Sequence, residues 1–456
     1  MSAVIDDAGR EQARGLPLLV FGDRARIVAF HQHRAVAVAE FLGDVATVVA
    51  ALPDGRDAIN LCEDRYAFLV AFCAVACKGR TNLLPPSRTQ QAIDEVMAAY
   101  PRSYALGDVA LEREPQGFIR MPVLGSSPPV DGVPSIDPAQ VVVIGFTSGS
   151  TGQPRPNAKT WGSFHASNQR NVEALADTLD LASGQIAHVV ATVPPQHMYG
   201  IELSILLPLL GPFAVHSARP LFPGDVASAL AAVPAPRVLV TTPVHLRALL
   251  RDPVSLPPLG VITSATAPLS QPLCLEAETR YGAPVLELFG STETCVIAQR
   301  RTAREADWRL YADVTLRPQP DGTVVDAPYF CAPVTLHDVV EVLADRRFRL
   351  CGRHADLVEI AGKRASLADL TRRVLALNGV DDAIVLQLDE PDCGGVRRIA
   401  ALVVAPHRTE AALLNDLRNA IDPAFLPRPL RRISVLPRNE TGKLPRSALL
   451  QALRHR

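Results

Sequence analysis

The middle of the chain alternates short, uniformly apolar runs with longer segments whose apolar positions recur every three or four residues. The short runs predict buried strands, and the periodic segments predict helices packed on one face. The predicted strands are residues 186–193, 213–217, 237–242, 259–263 and 285–289. The predicted helices are residues 203–210, 225–232, 243–250 and 269–281. Regular alternation of this kind predicts an α/β fold with mostly parallel sheets, whose ligands bind at the carboxyl ends of strands.

The elements predicted towards the two ends of the chain do not follow this regular alternation of strands and helices. Towards the amino end, helices are predicted at 45–52, 66–77 and 89–100, with Thr89 as a cap, and a short strand is predicted at 82–84. Residues 122–140 are rich in Pro, Ser and Gly and predict a connection. After Val340, short strands are predicted at 346–349, 357–360, 382–388, 398–404 and 432–436, with helices at 367–377 and 409–420. We therefore expect a large domain over residues 1–352 and a small α+β domain over residues 353–456.

Composition narrows the class of protein. Hydrophobic residues make up 48% and charged residues 20% of the 456, and the net charge is -1. These values are ordinary for a globular protein and give no indication of a nucleic-acid or membrane partner. The first residues are acidic and lack an apolar core, which predicts no secretory signal. The eight cysteines are scattered and are interpreted as buried, reduced thiols, so we expect a cytoplasmic protein.

A loop rich in small and hydroxylated residues follows the apolar run 141–144. Six of the nine residues after Gly145 are Gly, Ser or Thr, and Arg155 and Lys159 follow with positive charge. Glycines allow close backbone approach, and hydroxyls add donors that can surround a phosphate. The candidate binding residues are Thr147, Ser148, Gly149, Ser150, Thr151, Gly152 and Lys159. The loop is not the common P-loop, since no Gly-Lys-Ser/Thr occurs; an ordinary Ser/Gly-rich surface loop is the alternative.

These residues resemble the phosphate loop of the adenylate-forming superfamily, which includes acyl- and aryl-CoA synthetases, adenylation domains and luciferases. The family pattern is Thr-Ser-Gly-Ser/Thr-Thr-Gly-x-Pro-Lys-Gly. This chain departs from it at Arg155 and Pro156, where the family usually has Lys-Gly. The ending over residues 156–161 resembles a narrower group, the stand-alone aryl:carrier-protein ligases of aryl polyene and xanthomonadin pigment pathways.

Three further segments match the family in its order. Residues 194–200 resemble its Pro-x-x-His-x-x-Gly segment, which implies that His197 borders the acyl pocket, with Tyr199 beside it. Residues 262–269 resemble its adenine-binding turn, which includes Ser264, although Ala265 and Thr266 replace two glycines. Residues 288–294 match its aromatic-Gly-x-Thr-Glu motif. That match implies adenine contacts from Phe289 and Gly290, an α-phosphate contact from Thr292, and Mg²⁺ binding by Glu293.

The last matches lie towards the carboxyl end. The resemblance implies that Asp338 and Arg353 hold the ribose, and that Lys443, in Gly-Lys-x-x-Arg, is the catalytic lysine of adenylation. Ala355 stands where the family has an acidic hinge residue. The family fold is a large multi-subdomain α/β domain followed by a small α+β domain that rotates between the two half-reactions.

The resemblance implies an AMP-forming acid–thiol ligase with ATP and Mg²⁺ as cofactors. The expected reaction activates a small carboxylic acid, such as a hydroxybenzoate, and transfers it to an acyl carrier protein. Two alternatives stay open. One is a ligase that uses free CoA as acceptor; the other, from a different class, is a non-catalytic adenylate-binding relic. Taken singly, each motif also has a structural explanation, such as a helix cap or a surface charge, and their shared order favours function.

Overall fold

Apolar strands and amphipathic helices alternate through most of the chain in the computed structural model. The structure describes residues 15–21, 23–111, 113–125, 127–148, 154–319, 322–353, 357–360, 363–390, 397–439, 442 and 444–454. The chain divides into two compact units, the first formed by Met1–Val172 with Ile205–Ser217 and the second by Glu173–Ser204 with Ala218–Arg456.

The strands are numbered in chain order. They are β1 Leu16–Pro17, β2 Ile27–His31, β3 Arg34–Ala37, β4 Asp57–Asn60, β5 Asn82–Leu84, β6 Ser103–Gly107, β7 Ile119–Arg120, β8 Ser135–Ile136, β9 Val141–Ser148, β10 Pro154–Thr160, β11 Ala187–Ala191, β12 Phe213–His216, β13 Arg237–Thr241, β14 Val261–Ser264, β15 Val285–Ser291, β16 Cys295–Arg300, β17 Trp308–Leu310, β18 Thr315–Gln319, β19 Gly322–Asp326, β20 Val334–Leu336, β21 Asp338–Val342, β22 Arg347–Arg353, β23 Leu357–Ile360, β24 Lys363–Ser366, β25 Asp382–Gln387, β26 Ile399–Val404 and β27 Leu430–Arg432.

The α-helices are numbered in the same way. They are α1 Val38–Ala51, α2 Arg65–Cys77, α3 Gln90–Ala99, α4 Trp161–Leu179, α5 Met198–Ile201, α6 Leu207–Leu210, α7 Pro223–Ala231, α8 Pro243–Arg251, α9 Gln271–Tyr281, α10 Leu367–Leu375, α11 Glu410–Ala420 and α12 Arg446–Arg454. A π-helix, Glu202–Leu206, joins α5 to α6, and a 3₁₀ turn covers Pro423–Phe425.

In the first unit, the main sheet has the order β10-β9-β5-β4-β6-β7. Strands β9, β5, β4, β6 and β7 run parallel, and β10 pairs antiparallel with β9 at one edge. Helix α2 is apolar on nearly every side and is buried along its length, as expected of a helix inside a core. Asp64 caps it by accepting a hydrogen bond from the Ala67 N–H at 3.0 Å.

The second unit contains a sheet with the order β21-β22-β17-β16-β15-β14-β13-β11. Strands β15, β14, β13 and β11 are mutually parallel, and the strands from β16 onwards pair antiparallel. The parallel strands are mostly buried and centre on Val, Leu and Ile, which suits a sheet covered on both faces. The alternation along residues 186–289 therefore predicted the parallel part of this sheet correctly.

The carboxyl-terminal part of the second unit has its own small sheet, β25-β26-β27. Helices α10 and α11 pack on one set of its side chains around Ile399 and Ala401, and α12 packs on another around Ala400 and Leu402. This arrangement is the predicted mixture of strands and helices. The boundary between residues 352 and 353, and the rotation of the small domain, stay predictions.

Several local predictions differ from the structure. Helix α4, 19 residues long, was not predicted, because its apolar positions are interrupted by Asn and His side chains. The predicted last strand at 432–436 lies earlier, at Leu430–Arg432, and α12 was missed. The strand before the phosphate loop continues past Gly145 to Ser148.

None of the helices in the described part of the chain is long and apolar enough to cross a membrane.

The described cysteines carry no disulfide, but their burial is mixed. Cys62, Cys73, Cys274 and Cys295 are buried, as expected of structural thiols, and burial raises the pKa of each of the first three. Two others, Cys331 and Cys351, are exposed. The interpretation of all cysteines as buried was therefore wrong for these two.

Candidate active site

The carboxyl ends of β11, β13, β14 and β15 lie side by side because these strands are neighbours and run parallel. The three predicted segments around His197, Ser264 and Phe289 each lie at the end of one of these strands. This edge is where open α/β sheets bind their ligands. The structure thus places these predicted segments along one edge of one sheet.

A hydrogen-bonded group of side chains, absent from the sequence prediction, joins the ends of β11 and β13. The Thr192 hydroxyl lies 3.0 Å from the Thr241 hydroxyl and 2.8 Å from Nδ1 of His245, in the first turn of α8. Burial and the nearby Arg219 charge lower the pKa of His245, which favours the neutral imidazole. His245 lies just after a Thr-Pro helix start that follows a predicted strand. This position in the sequence was the signal by which His245 could have been predicted as a site residue.

The segment carrying His197 turns sharply from β11 into α5. His197 is half-buried at the N-cap of α5, and the Tyr199 hydroxyl lies 2.9 Å from the Thr263 hydroxyl of β14. Burial raises the pKa of Tyr199, so its phenol is neutral at physiological pH. A Cβ on Gly200 would come within 1.9 Å of the Pro194 carbonyl oxygen, so the turn requires glycine. Steric exclusion of a Cβ therefore explains why the Pro-x-x-His-x-x-Gly pattern ends in glycine.

The π-helix after α5 contributes a buried carboxylate. Glu202 is 1% exposed, and its carboxylate accepts a hydrogen bond from the Val296 N–H at 2.9 Å. Val296 pairs with Gly290 in the hairpin that carries Thr292 and Glu293. Glu202 therefore ties the π-helix to the base of that hairpin, a role that the sequence did not reveal. Such π-helical turns are frequent at functional sites.

The turn after β14 keeps the backbone conformation of a glycine at a position occupied by threonine. Thr266 has φ of 77°, in the left-handed region that β-branched residues rarely adopt. The turn is held by Glu287, which accepts a hydrogen bond from the Leu269 N–H at 3.1 Å. Ser264, at the strand end, is fully buried, and its hydroxyl has no hydrogen-bond partner among the described residues. A buried hydroxyl of this kind is available to a ligand.

Strands β15 and β16 form a hairpin, and Thr292 and Glu293 lie in its turn, half-buried. The turn is closed by hydrogen bonds of 3.2 Å between Ser291 and Thr294. Gly290 is required here, because a Cβ would come within 2.1 Å of the Cys295 carbonyl oxygen. The motif thus forms a tight hairpin that presents a hydroxyl and a carboxylate together.

The Phe289 ring is the half-buried member of an aromatic cluster. Its centroid lies 5.3 Å from that of Trp308 and 5.7 Å from that of Phe348. Trp308 and Phe348 stack on each other with an interplanar angle of 17°. These neighbours fix the orientation of the Phe289 ring, which keeps it in one place for a flat ligand to contact.

The two predicted ribose residues are direct partners in an antiparallel pair. Asp338 begins β21, Arg353 ends β22, and the two are opposite each other in register. Two positions separated by 14 residues in the sequence are thus brought together.

The predicted phosphate loop belongs to the first unit. Thr147 and Ser148 end β9, and the Asn157 amide donates a hydrogen bond to the Thr147 hydroxyl at 3.4 Å. Lys159, opposite Val143 in β10, is buried and engaged with a neighbour. The other loop positions lie outside the described residues: Gly149, Ser150, Thr151 and Gly152.

Lys443 also lies outside the described residues, whereas residues on both sides of it are described. Before it, Arg438 binds the Asp382 carboxylate and the Gly442 carbonyl. After it, Arg446 at the start of α12 donates to the Gln387 carbonyl at 2.8 Å. Ala355 is likewise outside the described residues.

The chain is similar to several known proteins. The sequence model of the family described as "AMP-binding enzyme" matches residues 57–329. A 4-coumarate–CoA ligase from Halorhodospira halophila is 32% identical over 316 residues, which cover 65% of this chain and 73% of that protein. An indoleacetate–CoA ligase from Aromatoleum aromaticum is 28% identical over 207 residues, 42% of this chain and 38% of that protein.

Solved structures extend the similarity of fold to nearly the whole chain. ATP-bound MatB from Rhodopseudomonas palustris superposes with a TM-score of 0.78 at 18% identity, covering 95% of this chain and 97% of that one. The o-succinylbenzoate CoA synthetase MenE from Bacillus subtilis, in complex with an acyl-adenylate intermediate, gives 0.77 at 17% identity, covering 94% and 96%. These matches confirm the predicted fold class. With the family model matching more than half of its length, this chain belongs to the AMP-binding enzymes of the adenylate-forming superfamily.

Proposed function

We propose that this enzyme, an adenylate-forming acid–thiol ligase, activates a hydroxybenzoate-type aryl acid and passes it to the phosphopantetheine thiol of a carrier protein. The acid attacks the α-phosphate of ATP, giving an acyl-AMP and pyrophosphate, and the thiol then displaces AMP to form a thioester. The observation that carries the proposal is the alignment of the His197, Ser264 and Phe289–Glu293 segments along one edge of a parallel sheet.

The first half-reaction brings anions together, so its barrier is largely electrostatic repulsion. Bound Mg²⁺ supplies positive charge at the phosphates. Glu293 suits this ion, because Mg²⁺ is usually held by one or two carboxylates together with substrate phosphates and waters. In the described part of the chain, no group of three or more His, Cys, Asp or Glu side chains forms a metal cage, and none is needed for such binding. Lys443 would bridge carboxylate and phosphate oxygens.

The nucleotide has polar and aromatic partners in the second unit. The free Ser264 hydroxyl and the turn at Thr266 would accept the adenine edge, and the fixed Phe289 ring would contact its face. The paired positions of Asp338 and Arg353 would hold the ribose hydroxyls.

The aryl character of the acid is supported by the side chains near His197 and by the relatives. Tyr199 and Thr263 provide a buried polar pair beside apolar strands, which is the composition of a pocket for a small aromatic acid. Both relatives named above act, by their names, on acids that carry an aromatic ring. Their names also make free CoA the second candidate acceptor.

Lys443 provides the sharpest test of the adenylation step. We expect Lys443→Ala to lower acyl-AMP formation by roughly a hundred- to a thousandfold, the usual cost of losing one preorganised charge contact. Thioester formation from pre-made acyl-AMP should change far less. Pyrophosphate release measures the first step, and thioester yield measures the second. Equal losses in both would remove the proposed role.

Glu293 tests the metal. We expect Glu293→Gln to raise the Mg²⁺ concentration needed for half-maximal pyrophosphate release and to lower the maximal rate, because a neutral amide is a weaker ligand for a hard cation. Circular dichroism of the variant should match that of the parent, since the turn is closed by Ser291 and Thr294. A Mg²⁺ titration identical to that of the parent would show that the ion is held elsewhere.

The substrate and acceptor are tested separately. Pyrophosphate release is compared for 3- and 4-hydroxybenzoate and for medium- and long-chain fatty acids, and thioester yield is then compared for a holo-carrier protein and free CoA. We expect the hydroxybenzoates and the carrier protein to be preferred. A preference for fatty acids would exclude the pigment-pathway assignment, and a preference for CoA would favour the second candidate. If no acid causes carboxylate-dependent pyrophosphate release, the protein is the non-catalytic relic.

A further inference from the structure

A half-buried cluster of three charged side chains joins helix α8 to the small carboxyl-terminal sheet. Asp382, the first residue of β25, accepts hydrogen bonds from Nη2 of Arg438 at 3.0 Å to each carboxylate oxygen, and from Nε at 3.3 Å. Arg247 of α8 lies 3.5 Å from the same carboxylate. One aspartate is therefore shared by two arginines that come from different parts of the second unit.

The remaining donor of Arg438 is directed to the residue that precedes Lys443. Its Nη1 donates to the Gly442 carbonyl at 2.9 Å. Gly442 has φ of 78°, and its N–H donates to the Asn439 carbonyl at 2.9 Å. The Gly442 carbonyl belongs to the peptide bond that joins Gly442 to Lys443. A group that fixes this carbonyl therefore constrains the peptide unit that leads into Lys443.

The cluster is well shielded from water. The side chains of Arg247, Asp382 and Arg438 are 18%, 13% and 17% exposed. Burial lowers the pKa of Arg247, and the Asp382 charge opposes that effect. Shielded charges of this kind hold their geometry firmly, and removing the shared carboxylate leaves two guanidinium groups facing each other.

A neighbouring pair offers a built-in comparison. Arg251, one turn after Arg247 on α8, pairs at 2.6 Å with Asp381, the residue before Asp382. Those two side chains are 55% and 34% exposed, so the pair is a surface ion pair of small energetic value. Asp381 and Asp382 thus differ in burial and in their link to Arg438, while both are adjacent in sequence and contact the same helix.

We propose that Asp382 and Arg438 form the positioning pair for the Lys443 loop, and that Arg247 anchors this pair to α8. The proposal rests on the proposed role of Lys443 in adenylation. Both act through position: Arg438 holds the Gly442 carbonyl, and Asp382 holds Arg438. A displacement of about 1 Å at a catalytic group can cost about a hundredfold in rate, so loosening this support affects the step that uses Lys443.

The experiment compares the two half-reactions in Asp382→Asn, Arg438→Lys and Arg247→Ala, with Asp381→Asn as the matched control. We expect Asp382→Asn and Arg438→Lys to lower acyl-AMP formation about ten- to a hundredfold, with KM for ATP within about threefold of the parent. Arg247→Ala should give a smaller loss in the same step. Thioester formation from pre-made acyl-AMP should stay within about threefold, and Asp381→Asn should match the parent in both steps.

Two results would overturn the proposal. One is an equal loss in both half-reactions, which indicates general destabilisation; the other is an Asp382→Asn variant that behaves like Asp381→Asn. Arg438→Lys keeps the charge but not the planar fork, so it separates geometry from net charge if Asp382→Asn fails to fold. Lys443→Ala is measured in parallel. If that variant shows no selective loss, the proposed function fails; if it does and the Asp382 and Arg438 variants do not, only this inference fails.

Discussion

Replacement by glycine is expected to have opposite effects on stability at Thr266 and at its neighbour Ala265. Thr266 is exposed and adopts φ of 77°. A left-handed conformation costs a residue with a Cβ roughly 1–2 kcal/mol, and replacement by glycine removes this cost. Glycine also gives the unfolded chain more conformational freedom, which lowers the stability gain by about 0.5–1 kcal/mol. Thr266→Gly should therefore stabilise the protein by about 0.5–1 kcal/mol.

Ala265 is the internal control. It is 7% exposed and is not among the residues with positive φ. Ala265→Gly removes a buried methyl group, worth about 0.8 kcal/mol, and adds about 0.5–1 kcal/mol of unfolded-state freedom, so it should destabilise by about 1.5 kcal/mol. The two single-residue changes, both towards the family's glycines, should differ by about 2 kcal/mol.

The assay is thermal unfolding of the parent and the two variants at one protein concentration, with KM for ATP measured beside it. Thr266→Gly should melt above the parent and Ala265→Gly below it. Because glycine adopts the existing backbone without rearrangement, Thr266→Gly should keep KM for ATP within about twofold. The reasoning is refuted if Thr266→Gly melts below the parent, since that would mean that the threonine is not strained.

Two further predictions concern the sheet edge. Tyr199→Phe removes the hydroxyl that lies 2.9 Å from the Thr263 hydroxyl. It should lower the free energy of thermal or denaturant unfolding by about 1–3 kcal/mol and raise KM for the acid more than KM for ATP. An equal change in the two KM values would show that the acid binds elsewhere. His245 has a pKa lowered by burial, so the unfolded chain binds more protons near pH 6.5 and stability falls as the pH drops through that value. In His245→Asn, the difference in melting temperature between pH 8 and pH 5.5 should shrink without vanishing, because burial also lowers the pKa of His165, His188 and His216; an unchanged difference would contradict the assignment.

In the second unit, the sequence predicted the parallel strands well because their signal is local, whereas β4, β6 and β7 of the parallel sheet in the first unit were not predicted. Strands β11, β13 and β14 are short, mostly buried runs that centre on Val, Leu and Ile, and α8 begins at Pro after a capping Thr. The antiparallel part between Cys295 and Val342 was missed. Strands β18 and β21 in this part are largely exposed, and β18 includes Pro and Arg, so neither alternation nor apolar runs mark them clearly.

The site was predictable where it depends on motif order and unpredictable where it depends on contacts between distant residues. His197, Ser264 and Phe289 follow strand ends, which a linear pattern can show. The Glu202–Val296 hydrogen bond joins residues 94 apart, and Thr192 meets His245 across 53 residues. Asp382 meets Arg438 across 56 residues. No periodicity encodes such pairs, because they arise only when the sheet order is fixed.

The departures from the family pattern at Arg155, Pro156 and Thr266 are accommodated by the local backbone, which argues that the nucleotide site is retained. Pro156 lies in β10, the edge strand of its sheet, where every second N–H points away from the sheet and a missing donor is tolerated. Arg155 is exposed opposite Thr147, so it keeps a positive charge at the end of β9. Thr266 holds the left-handed conformation that a glycine would adopt. A chain that had lost its ligand would have no reason to keep a strained threonine in that conformation, beside a buried Ser264 hydroxyl without a partner among the described residues. Strain and an unpaired polar group kept at one strand end are costs that a bound nucleotide would offset.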